Sequence, residues 1–144
     1  MNTFSYEISF RAFGVSLSPD ELTDKLGLAP KWKRKAGERR VSAGGALLEG
    51  VYDSGYCSFP FPHKDDEDIE AFLDQTLLNL EAHEEFFLNL KKSGVRLELF
   101  VGWYSAGNTG AIFESEVLSK LGKLGIDLAM DVYGESEKLG SGTA

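Results

Sequence analysis

The chain has 144 residues, of which 42% are hydrophobic and 12% aromatic, with a formal net charge of −8 and a single cysteine. That length suits one domain, able to bury about two thirds of the surface its unfolded chain exposes. The negative charge speaks against general affinity for nucleic acid or anionic membrane, and one cysteine excludes an internal disulfide.

The first element is a strand. Phe4, Tyr6, Ile8, Phe10 and Ala12 alternate with Ser5, Glu7, Ser9 and Arg11, which gives one core face and one polar face. A short helix follows with clear punctuation. Ser18 is the N-cap, Pro19 the first helical residue and Glu21 the far corner of a capping box. Leu22 and Leu26 form its buried stripe, and Gly27 suits a left-handed C-terminal turn.

Residues 31–40 then concentrate Lys31, Lys33, Arg34, Lys35, Arg39 and Arg40 around Trp32, and read as a basic strand. Gly44-Gly45 reads as a turn between two short strands, roughly residues 38–42 and 46–53. Phe59-Pro60-Phe61-Pro62 reads as an extended loop, because each proline drives its predecessor out of helix.

A long helical stretch covers about residues 66–92. Ile69, Phe72, Leu73, Leu77, Leu80, Phe87 and Leu90 recur mostly at three- and four-residue spacing. Asp65, Asp66, Glu67 and Asp68 crowd its start, where the helix dipole favours anions. As one rod it would span roughly 40 Å, so a break is expected near residues 79–83.

A second alternating strand sets Val95, Leu97, Leu99, Val101 and Trp103 against Arg96, Glu98, Phe100, Gly102 and Tyr104. A glycine-rich turn at residues 105–110 leads to a short helix from Ser115, carrying Val117, Leu118 and Leu121 and ending at Gly122 or Gly125. The last strand opposes Ile126, Leu128, Met130 and Val132 to Asp127, Ala129, Asp131 and Tyr133. Residues 135–144 are polar and Gly/Ser-rich and are expected to fray, leaving residues 1–134 as the folded domain.

Both short helices contain Glu-x-x-x-Lys-Leu-Gly, Glu21 to Gly27 and Glu116 to Gly122, each between two strands. The fold class expected is therefore α+β. Two strand–helix–strand units form one mixed, largely antiparallel sheet, with helices packed on one face and the long helix between the units. A doubly wound sheet is disfavoured, because its strands would be apolar on both faces.

Several of these segments also carry a resemblance. Leu17-Ser-Pro-Asp-Glu-Leu22, Leu26-Gly-Leu-Ala-Pro30, the acidic-started helix, Val95 to Ser105, Leu121 to Leu128 and Asp131-Val-Tyr133 together resemble the bacterial domain-of-unknown-function family 4279. The resemblance runs from about Phe4 to Tyr133. It implies a small α+β domain of bacterial, cytoplasmic origin, and supplies neither cofactor nor catalytic residues.

The chemistry-bearing residues are sparse. Cys57 with His63 or His83 lacks any surrounding nucleophile motif, and Cys57 reads as a small buried side chain. Cys57, His63, Asp65 and Asp66 lack the paired ligand spacing of zinc sites, so neither metal nor cofactor is expected. No phosphate-binding glycine motif occurs. Two features remain: the basic segment, an anion site or a solubilising edge strand, and a polar sheet face mixing Phe13, Phe100, Tyr104 and Tyr133 with charges of both signs.

The expected function is a non-enzymatic binding protein that engages a protein partner or itself, immunity-like or regulatory, without nucleic acid or membrane. The alternative is a small-ligand or anion-binding module, enzymatic or not, using the basic segment and the loop at residues 103–108. The candidate contact residues are Trp32, Arg34, Arg39, Arg40, Trp103, Tyr104 and Asn108. With no transmembrane run and no basic–apolar leader, a cytoplasmic location is expected.

Overall fold

A computed structural model describes residues 4–134; the expected tail at 135–144 lies outside the described residues. Strand β1 (Phe4–Gly14) is the centre of a five-stranded sheet. It pairs antiparallel with β5 (Gly55–Phe61) on one side and with β6 (Arg96–Ser105) on the other. β2 (Trp32–Arg34) flanks β5, and β7 (Ile126–Gly134) runs parallel to β6, giving the order β2-β5-β1-β6-β7. The sheet is thus mixed and the fold α+β.

The alternation places the core as the sequence requires. Phe10, Phe59, Leu97 and Leu99 point to one face and are fully buried beneath Leu73, Leu77, Phe87 and Leu124 of the helices. The buried hydrophobic residues of every described α-helix join this one cluster, and no helical residue lines the trough on the opposite face. Helix α1 (Pro19–Leu26) begins where expected, with Ser18 Oγ accepting from Glu21 N at 3.3 Å. It ends at Gly27 in the left-handed conformation (φ 68°).

The stretch at 66–92 is broken as its length demanded. Helix α2 (Ile69–Leu80) passes through one 3-10 turn (Glu81–His83) into α3 (Glu84–Lys92), whose Phe87 ring packs 5.5 Å from Phe10. Only Asp68 of the acidic run caps α2, accepting from Ala71 N at 3.4 Å. The second Glu-x-x-x-Lys-Leu-Gly behaves unlike the first. Gly122 stays inside α4 (Ser115–Leu124), and Gly125 (φ 70°) ends it.

Two expectations fail. Residues 31–40 are not one strand but β2 and β3 (Arg39–Val41), which belong to different sheets. A turn at Gly37 (φ 87°) separates them, and β3 pairs with β4 (Leu47–Val51) in a hairpin exposed along its whole length. Phe59-Pro60-Phe61 is not a loop but the end of β5. Ser58 O accepts from Lys31 N, so residues 58 and 60 turn their backbone groups toward the β2 edge. β2 stops before reaching Pro60, so the missing proline N–H faces an open edge and no ladder bond is lost.

Candidate binding face

The polar face is built around Arg11. Its guanidinium lies 3.6 Å from the centre of the Phe100 ring, and its Nη1 sits 3.6 Å from Glu98 Oε1. Arg96 closes the other side of Glu98 at 4.0 Å and stacks over Phe13 at 4.6 Å. Arg11 Nε is buried and has no hydrogen-bond partner among the described residues.

Toward β7 the face becomes aromatic. Tyr104 and Tyr133 stack 5.2 Å apart, nearly parallel. Gly102 makes room for this, since a Cβ there would lie 3.2 Å from Tyr104 Oη. Burial first, and then Glu7, which hydrogen-bonds the Tyr104 phenol, push that phenol above its usual range. The Tyr133 phenol donates to Asp131 Oδ2 at 2.9 Å, and that bond is the main reason its proton is held more tightly.

Toward β2 the face sinks into a trough of about 870 Å³. Arg11, Ser9, Ser58 and Phe100 floor it, with Lys31 and Trp32 on one bank and Pro62, His63 and Asp65 on the other. Trp32 is 55% exposed. The far bank is pinned to β1. The His63 ring stacks 4.0 Å from the Tyr6 ring, with Nε2 2.7 Å from Tyr6 O and Nδ1 2.8 Å from Lys64 O. The Tyr6 phenol donates to Glu67 O at 2.8 Å. Its pKa is pushed up to about 12 by burial and then by the carboxylates of Glu67 and Asp68.

The seven candidate residues do not form one site, although Arg34 and Arg39 line one small hollow of about 250 Å³ with Lys33 and Lys35. Trp32 is on the trough bank, and Arg34 lies on the same face, 5.4 Å from the Tyr56 ring and 5.5 Å from that of Tyr52. Arg39 and Arg40 are on the hairpin, their guanidinium groups donating to Leu48 O and Glu49 O. Tyr104 belongs to the polar face. Trp103, its neighbour in β6, points to the opposite side, where it is buried, stacks 3.7 Å from Phe4 and donates from Nε1 to Thr109 Oγ1 at 2.9 Å. Asn108 is exposed and lines a shallow hollow beside Trp103. Strand alternation therefore divides Trp103 from Tyr104 and Trp32, and Asn108, in the loop beyond β6, lies on the side of Trp103. The far bank, Pro62 to Asp65, carries no periodic signal in the sequence that would mark it as a contact surface.

Cys57 is on the helix side of β5, fully buried, and burial raises its pKa from 9.0 to about 12. Folding therefore favours the neutral thiol. This contribution is complete below pH 9 and is lost as pH rises toward 12; Tyr6 acts in the same direction. Urea midpoints are expected to be flat up to pH 8.5, with the Cys57 contribution alone lowering stability by about 3 kcal/mol at pH 11.5. Cys57→Ala should remove much of that slope. An identical slope in wild type and Cys57→Ala would show that the thiol contributes nothing to it.

No described helix is long and apolar enough to cross a membrane. A family model described as a domain of unknown function (DUF4279) matches residues 3–135. No curated protein and no solved structure matches the chain significantly.

Proposed function

We propose that this chain, which belongs to the DUF4279 family, is a non-enzymatic binding protein. Its open sheet face engages a protein partner or a second copy, in an immunity-like or regulatory role in the bacterial cytoplasm. The observation that carries this reading is a sheet face left uncovered by any described helix, with Phe100, Tyr104 and Tyr133 set among Arg11, Arg96 and Glu98. Aromatic and arginine side chains in that mixture are the usual anchors of protein recognition. Lys33, Arg34, Lys35 and Arg39 do line one small hollow, but they share it with Asp20 and Glu38. Lys33 pairs with Asp20 at 3.1 Å, and Arg39 and Arg40 turn onto the hairpin backbone, which weakens an anion site there.

The second reading, a small-ligand or anion-binding module, enzymatic or not, draws on the trough and the unpartnered Arg11 Nε. Its volume falls within the range of small-molecule sites. Two measurements separate the readings. Light scattering across a wide concentration range tests self-association, and in-cell cross-linking of wild type against Trp32→Glu and Phe100→Glu tests a different partner. The expected result is one adduct or dimer lost in both variants and kept in Arg39→Glu. A phosphate or nucleotide that stabilises the protein by about 2.7 kcal/mol at a hundredfold excess over its Kd would instead favour the second reading.

A further inference from the structure

The two edges of the sheet are treated very differently. β2 is three residues long and flanked by Lys31 and Lys35, and Pro60 sits on the edge just beyond it. Shortness, lysine and proline are the means by which proteins keep an edge strand from pairing with another chain. β7 has none of them. It runs nine residues in unbroken register with β6, from Leu97↔Ile126 to Ser105↔Gly134, with no lysine, arginine or proline. Its outer backbone groups have no strand beside them among the described residues. Met130 is 39% exposed and Val132 67%.

The side chains along this edge specify what suits it. On the polar face Asp127 and Asp131 are exposed, with Glu98 beside Asp127 in register. On the other face Met130 and Val132 offer apolar surface. A second copy fits badly. Antiparallel self-pairing centred on Ala129 sets Asp127 opposite Asp131 twice. Centred on Met130, it leaves Asp131 diagonal to both aspartates of the copy, and each chain adds a net charge of −8. The β2 edge of another copy is basic but offers only three residues.

The geometry points to β7 as a strand-addition site for an extended segment of another protein, cationic on the face it shares with Asp127 and Asp131 and apolar on the face it shares with Met130 and Val132. Main-chain bonds to the β7 edge supply affinity, and the alternating side chains supply selection. This site is separate from the open face and stands or falls without it.

The probe is a dilute, capped nine-residue peptide of alternating lysine and valine, added to the full chain, with amide hydrogen exchange as the readout. At ten times its Kd, alternate β7 amides are expected to exchange about tenfold more slowly. N-methylation of every second peptide residue should abolish the effect while keeping the charge. Asp127→Asn with Asp131→Asn should weaken binding roughly tenfold while leaving the fold intact. Unchanged β7 exchange overturns the inference. So does protection that survives N-methylation, which is attraction by charge alone. A concentration-dependent dimer or polymer with β7 already protected also overturns it, by giving the edge to a second copy.

Discussion

Phe10→Ala is expected to cost about 4 kcal/mol, the middle of the range for a fully buried aromatic ring. Phe10 sits at the middle of the central strand, opposite Phe59 on β5 and Leu99 on β6, and has no exposed surface. Its ring lies 6.5 Å from those of Phe59 and Phe61 and 5.5 Å from that of Phe87. These neighbours are held by separate elements, two on β5 and one on α3, so none can collapse into the space without shifting a whole strand or helix. The midpoint of thermal unfolding should fall by on the order of 10–15 °C, and the urea midpoint should fall with little change in slope. Phe86 is a control on the same helix as Phe87: it is only partly buried, and its removal should cost under about 2 kcal/mol. A Phe10→Ala loss no larger than that of Phe86→Ala would mean that the core is far softer than its burial indicates.

What was legible in the sequence follows the range of the forces involved. β1, β6 and β7 announce themselves by alternation, which in β1 and β6 reports burial residue by residue. In β7 only Ile126 and Leu128 of the expected core face are covered, while Met130 and Val132 are exposed at the sheet edge, where no further strand follows among the described residues. The cap of α1 is likewise local, being a serine oxygen and an amide three residues on. The break between α2 and α3 was foreseen from length alone. β5 was misread because the tolerance of Pro60 depends on where β2 ends, a fact about a different segment. The basic stretch was misread because six cations around a turn carry no period, and charge does not reveal that Gly37 divides two sheets. Of the candidate residues, Trp103 was the most recoverable. It shares its register with Val101 and Leu99, so the alternation already placed it in the core while Tyr104 faced outward. The far bank of the trough depends on His63 meeting Tyr6 across 57 residues, and nothing near either residue signals it.

Gly55→Ala should cost about 3 kcal/mol, for a reason different from the usual glycine argument. Its backbone is not in the left-handed region, so any residue suits its φ. The obstacle is space: a Cβ there would lie 2.8 Å from Gly14 O and 3.2 Å from Leu17 Cβ. Gly14 O is held by a hydrogen bond from Leu17 N at 3.3 Å, and Leu17 is buried, so relief requires opening the corner between β1 and α1. Overpacking against fixed backbone costs about 1–3 kcal/mol and more where nothing can yield. Gly27→Ala provides the contrast. Its φ of 68° is unfavourable to alanine but nothing lies within 4 Å, so about 1 kcal/mol is expected. A Gly55→Ala loss smaller than that of Gly27→Ala would reject the steric account. Gly55 also opens the strand that carries Tyr56 and Ser58 into the trough. Gly55→Ala should therefore lose partner binding only in proportion to the unfolded fraction and recover it on cooling. Trp32→Glu, at an exposed position, should lose binding while its melting temperature stays within about 2 °C of wild type.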